Sequence, residues 1–169
     1  MECDCVTAEA RGIQKRESQM AFLFQPGVYR DGSIYLLPRP VTRFRVSERW
    51  DYQQFKVPLK AGDVHVGHSR DGIDLLIEGQ FGSQDGDLKL SEEAMFDALE
   101  ALRSSLDVTS DNDKFEFFTY YDSDSTTYRK YKNCSAVRLE FDLSSPHLFT
   151  YSATLHADDS TIHSTAPGV

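Results

Sequence analysis

The chain has 169 residues, the size of one domain with a short appendage, and a chain of this length buries about two thirds of its unfolded surface without staples. A formal net charge of −9 argues against a basic face that grips nucleic acid, because duplex affinity comes mainly from Lys and Arg neutralising phosphates. The odd count of three cysteines, Cys3, Cys5 and Cys134, with Cys3 and Cys5 too close for an ordinary bridge, points to a reducing compartment and no disulfide framework.

Residues 1–19 are polar and mixed in charge, without the charged-then-apolar layout of a signal peptide. They read as an extension or arm outside the core, with Met20 a possible alternative start. No later stretch approaches the roughly 20 apolar residues of a membrane span, so the protein is expected to fold in cytoplasm and to have no membrane partner. From residue 20 to 60 the text is aromatic and punctuated by Pro26, Pro38 and Pro40. Proline cannot donate to a strand ladder, which predicts edge strands and loops. Phe44 and Val46 alternate with Arg43 and Arg45, and Phe55, Val57 and Leu59 alternate with polar neighbours and Pro58, so both runs read as half-buried strands.

Val64 and Val66 lead into Ser69-Arg70-Asp71-Gly72, where Asp-Gly predicts a hairpin. The return strand carries Ile73, Leu75, Ile77, Gly79 and Phe81 on one face. A turn-rich loop, 82–89, follows. Ser91 is a suitable N-cap, Glu92 and Glu93 suit the positive end of a helix, and Met95, Leu99, Leu102 and Leu106 recur at one helical face. The spacing predicts a helix over about 92–106. Phe115, Phe117, Thr119 and Tyr121 then begin an aromatic strand, 122–127 is a polar loop, and Tyr128 to Lys132 is a further strand. Val137, Leu139, Phe141 and Leu143 alternate with Arg138, Glu140 and Asp142, and after a turn at Ser144-Ser145-Pro146 the last strand carries Phe149, Tyr151, Ala153 and Leu155. Residues 158–169 have little to bury and read as a tail.

The expected architecture is mainly β, a β-sandwich or split barrel with one packed helix, occupying residues 20–157 between the extension and the tail. No residue pattern requires a catalytic centre, a cofactor or a metal. Asp85, Asp87, Glu92 and Glu93 depart from the twelve-residue calcium loop, and Asp122 with Asp124 is read as a solvated loop. His65 and His68 fall on opposite faces of a strand, and the C-x-C pair lacks the further ligands of a zinc site. No serine sits in a nucleophile elbow, and Cys134 would need a base that spacing does not reveal. The aromatic load is more telling: Tyr120, Tyr121, Tyr128 and Tyr131 flank a polar loop, and Trp50 and Tyr52 sit beside Arg49 and Asp51. Such rings stack on sugars, anchor protein interfaces or pair across strands.

The stretch from Trp50 to Asp158 resembles the N-terminal domain of phage distal tail proteins and, more broadly, the tail-tube fold. The resemblance is carried by Trp50-Asp51-Tyr52, Val57-Pro-Leu-Lys-Ala-Gly-Asp63, Ser69-Arg-Asp-Gly-Ile-Asp-Leu-Leu-Ile-Glu-Gly79, the single helix 92–106 and Ser145-Pro-His-Leu-Phe149. It implies a non-enzymatic ring subunit whose sheets pair with copies of itself, six closing a ring. Its partners would be tube, hub or tape-measure proteins. DNA would pass an acidic lumen without specific binding, and the protein would reside in the virion tail after assembly in host cytoplasm. Many distal tail proteins add a second domain, galectin-like or OB-like, for which this chain is expected to be too short. Candidate contact residues are Trp50, Tyr52, Phe55, Asp122, Asp124 and Tyr128. The alternative is a carbohydrate-binding β-sandwich module that uses exposed Tyr or Trp, and a hydrolytic enzyme ranks last.

Overall fold

The computed structural model describes residues 24–56, 58–59, 61–81, 83–84, 87–88, 90–122 and 127–169. Residues 1–23, with Cys3 and Cys5, lie outside them, as do Asp85 and Asp124; of Phe55, His65 and Asp87 only the backbone is described.

In chain order the strands are β1 (Phe24–Arg30), β2 (Ser33–Leu36), β3 (Val41–Ser47), β4 (Trp50–Lys56), β5 (Asp63–Arg70), β6 (Ile73–Phe81) and the short β7 (Ser83–Gln84) and β8 (Asp87–Leu88). Helix α1 (Glu92–Leu106) and a 3-10 turn at Asp111–Asp113 precede β9 (Phe115–Asp122), β10 (Thr127–Ser145) and β11 (Leu148–Ala157). Seven strands form one antiparallel sheet in the order β2-β1-β9-β10-β11-β6-β3. The architecture is mainly β with one helix, as the residue patterns predict.

The two-residue period of β6 and β11 builds the core. Their partners run from Phe149 opposite Phe81 to Ala157 opposite Ile73 without a register shift, so Ile73, Leu75, Ile77, Phe81, Tyr151, Ala153 and Leu155 share one buried face. Helix α1 covers that face with Met95, Leu99, Leu102 and Leu106, all buried. The Ser91 hydroxyl accepts from the Ala94 amide at 3.2 Å and caps the helix as its sequence suggests. Gly79 is required by close approach: a Cβ there would lie 2.5 Å from the Tyr151 ring, whose hydroxyl donates to the Pro38 carbonyl at 3.0 Å. The sheet curls strongly, because Phe44 of β3 stacks on Phe117 of β9, ring centroids 6.3 Å apart, although three strands separate them in the sheet order.

Three sequence expectations are corrected. Asp71-Gly72 joins β5 to β6, but these strands do not pair with each other: β5 pairs with β4, and β6 with β3 and β11. The chain runs straight through, with the Asp71 amide donating to the Arg49 carbonyl at 3.1 Å. Glycine stands at position 72 because a Cβ would lie 2.6 Å from the Ala157 carbonyl and the His156 ring. The chain reverses instead between Lys56 and Asp63, where Leu59 (φ 66°) and Gly62 (φ 89°) adopt left-handed backbone, and Leu59 is fully exposed rather than part of a half-buried strand. Second, the two strands expected at 128–132 and 137–143 are one 19-residue strand, β10. It absorbs its loss of alternation in register shifts and a positive φ of 54° at Asn133.

The third concerns residues 158–169, expected as a tail. They fold back on β10: the Lys130 amide donates to the His163 carbonyl and the His163 amide to the Lys130 carbonyl, both at 2.9 Å. Polar contacts hold this segment, which is why its lack of apolar residues did not reveal the docking.

Truncating Leu102, fully buried at the centre of the helix face, leaves a cavity under α1. Leu102→Ala is expected to lower stability by about 2–5 kcal/mol, read as a lower urea midpoint at unchanged slope, whereas Glu100→Ala on the exposed face changes it by no more than about 0.5 kcal/mol.

Candidate assembly interface

Strands β3 and β4 on one side, and β5 and β6 on the other, form one continuous ribbon: Ser47 faces Asp74 in the sheet and Trp50 faces Arg70 beyond it. Strands β6 and β11 end at Ile73 and Ala157, so Trp50–Arg70 projects past them as a two-stranded arm. On this arm Trp50 and Tyr52 are 47% and 51% exposed, and Tyr52 stacks on His68 with centroids 6.0 Å apart. Every arm side chain that is described is exposed, on both faces of the ribbon. An isolated two-stranded hairpin is marginal in water, and aromatic side chains in the open are what protein interfaces bury.

The candidate residues fall into two groups. Trp50, Tyr52 and Phe55 lie on β4, where the Phe55 backbone pairs with Val64. Asp122 and Tyr128 lie on the β9–β10 hairpin, where Asp122 faces Thr127 and the Tyr128 ring meets Tyr121 edge-on at 5.7 Å. The register brings both groups to the same end of the sheet. Strand β3 runs toward Ser47 and the arm. Opposite it, β10 extends from Cys134, level with Ala157, back to Thr127. Of the other tyrosines, Tyr131 is buried and the Tyr120 ring packs against Phe24 at 5.7 Å, and both line a cavity of about 750 Å³ together with Phe44, Val46, Arg129 and Ile162.

The sheet face opposite α1 is polar over β3, β6, β11 and the second half of β10. There Asp74, Glu78, Glu140 and Asp142 stand beside Arg43, Arg45 and Arg138, with Arg43 paired to Glu78 at 3.2 Å and Arg138 to Glu140 at 2.6 Å. His156 shares the face, its Nδ1 2.7 Å from Asp74 Oδ1. A shallow groove of about 510 Å³ crosses this face between Thr42 and Asp142. Hydrogen bonds from the Ser144 hydroxyl and amide hold the Asp142 carboxyl below the usual range.

The geometry does not activate the Cys134 thiol. Cys134 is fully buried, and burial pushes its thiol up to about 12, away from the thiolate that reactive cysteines need. Among the described residues no group of three or more His, Cys, Asp or Glu is placed to hold a metal, and no helix is long and apolar enough to cross a membrane. Sequence reasoning missed Lys130, Glu116 and Gly168. Lys130 is fully buried, with its Nζ 2.9 Å from Glu116; a lone lysine in an alternating strand carries no signal of its partner.

No family model and no curated protein matches the chain. Solved structures do. The SPP1 Dit (gp 19.1) protein, described as a paradigm of the hub adsorption apparatus in phages that infect Gram-positive hosts, superposes with a TM-score of 0.56 at 16% identity over 84% of this chain and 52% of its own. The chain has a phage tail-tube-like fold. It spans about half the length of that Dit protein. A tail protein of an empty GTA particle, refined with C6 symmetry, superposes at a TM-score of 0.50 and 13% identity, covering 85% of this chain and 96% of its own. A chain of the PVC sheath-tube complex, an extracellular contractile injection system, reaches 0.50 at 11% identity, covering 88% and 95%.

The Cys134 thiol remains protonated at pH 8 because its ionisation lies near 12. Peptide mapping after iodoacetamide treatment of the folded chain at pH 8 is expected to find Cys134 unmodified, and denaturation in urea to expose it to complete alkylation.

Proposed function

We propose that this chain is a structural subunit of a phage-type tail, a distal-tail or tube-like ring that closes around a lumen, with residues 20–157 as the ring-forming domain. The observation that carries the reading is the projecting arm on a tail-tube-like fold: a ribbon exposed on both faces, with Trp50 and Tyr52 in solvent, finds its stability by lying on a neighbour. Edges β2 and β3 of the sheet, which pair with no further strand among the described residues, are in the same position, and closing a ring pairs such edges. Asp122 and Tyr128 at the same end would meet the adjoining ring.

The lumen, in this reading, is lined by the polar face opposite α1. Two of its arginines are already paired with carboxylates, and a net acidic chain repels phosphates, so DNA slides past without specific binding. Six copies are suggested by the C6 symmetry of the GTA tail, and the partners are other copies and further tail proteins of tube, hub or tape-measure type. The protein acts in the virion tail after assembly in host cytoplasm, and its work is contact rather than catalysis.

Native mass spectrometry and negative-stain imaging of concentrated protein, alone and with tail partners, are expected to show rings with an open centre. Trp50→Ala combined with Tyr52→Ala should weaken ring formation by about 2 kcal/mol, roughly thirtyfold, with the circular dichroism of the wild type retained. A chain that stays monomeric under every one of these conditions would overturn the reading.

A further inference from the structure

Two apolar side chains beside the core are left partly in solvent. Val46 of β3 stands opposite Leu75 and shares its face with Phe44, which stands opposite Ile77. Leu75 and Ile77 are fully buried, yet Val46 is 37% exposed. Ile162, on the C-terminal strap of residues 158–169 that folds back on β10, is 48% exposed. Both border the cavity of about 750 Å³, where Phe44 and Tyr131 form further apolar wall. Removing such surface from water drives folding, so an open apolar recess continuous with the core calls for a cover.

The cover is indicated by the point at which the described chain begins. Phe24 opens β1 with its ring at the rim of the recess, 5.6 Å from Phe44 and 5.7 Å from Tyr120 between centroids, and the Arg39 guanidinium donates to its carbonyl. Strand β1 is antiparallel to β9, with Phe24 opposite Tyr120, and β9 runs on from Tyr120 to Asp122, toward the end from which the arm projects. The chain that precedes Phe24 therefore leads the same way, alongside β3 as it runs from Phe44 to Ser47. Strand β3 pairs with β6 on one side, and no described strand pairs with it on the other. Immediately before Phe24 stand Met20-Ala21-Phe22-Leu23, an apolar run after the polar, mixed-charge residues 1–19. Four residues reach up to about 14 Å, further than the three steps from Phe44 to Ser47.

We propose that Met20–Leu23 continue β1 as a strand antiparallel to β3, pairing with its free edge from Phe44 to Ser47 and placing the Phe22 ring in the cavity against Val46 and Ile162. Phe24 sets the register. With its ring beside Phe44, the antiparallel neighbours two residues on are Phe22 and Val46, and the two-residue period turns both toward the core. Leu23 falls on the outer face beside Arg45, whose aliphatic stem covers it. The added strand buries the apolar recess and removes an edge that would otherwise template pairing with a foreign strand. It occupies only the half of β3 next to the arm and leaves β2 and the arm for neighbours, so the proposal is independent of the ring reading.

Nuclear magnetic resonance of the dilute full-length protein, methyl-labelled at Val and Ile, is expected to show Overhauser contacts from the Phe22 ring to the Val46 and Ile162 methyls. Phe22→Ala is expected to lower the folding equilibrium constant at least about tenfold, read as a lower urea midpoint, and to speed amide exchange within Phe44–Ser47 by a similar factor. Ile13→Ala, a truncation of the same kind earlier in the extension, is expected to change neither. Absence of the contacts, or a Phe22→Ala protein that behaves like Ile13→Ala, overturns the proposal. Contacts found only between labelled and unlabelled copies in a mixed sample place a second chain's segment in the cavity and overturn it as well. If Phe22→Ala does not fold, the wild-type contacts alone decide.

Discussion

The register between β6 and β11, nine residues long and without a shift, is the constraint on which the rest depends. It presents an uninterrupted apolar face, and one amphipathic helix suffices to cover it because Met95, Leu99, Leu102 and Leu106 all point into it. Since a strand's side chains alternate strictly, the same register commits Asp74, Glu78, Thr150, Ser152 and His156 to the opposite face. The polar surface is therefore a by-product of the core. A slip of one residue would exchange the two, burying carboxylates under the helix, so pairing at this point is strongly specified.

The helix and the alternating strands were legible in the sequence because their signals are local. A cap, a period of 3.6 or a period of two needs only neighbouring residues to be read, and Ser91, Leu99 and the Ile73–Phe81 alternation all landed where their patterns put them. Asp71-Gly72 was misread because turn chemistry and close approach select the same residue. Gly72 is small to clear the Ala157 carbonyl and the His156 ring, contacts more than eighty residues away in the chain. The unity of β10 was hidden for a related reason: its bulges shift the alternation, so one bent strand reads as two.

The candidate site was legible only as residue types. Trp50, Tyr52 and Tyr128 stood out as aromatics beside charged neighbours, but nothing local says that the arm and the β9–β10 hairpin leave the sheet at the same end. That follows from which strands pair, since β6 and β11 stop at Ile73 and Ala157 while the β4–β5 ribbon and the first half of β10 extend beyond them. Unequal strand length is thus the origin of the projecting surfaces.

The buried Lys130–Glu116 pair fits this division between core and contact. Burying two charges is expensive, and a well-packed apolar pair of the same volume would hold the strap at least as firmly. What an apolar anchor would lack is solubility when undocked: a strap ending in large apolar residues, and the bare patch beneath it, would both be sticky. The strap instead anchors through backbone carbonyls of Ala166 and Val169, groups that water satisfies as well as a lysine does. A contact of that kind favours geometry over strength.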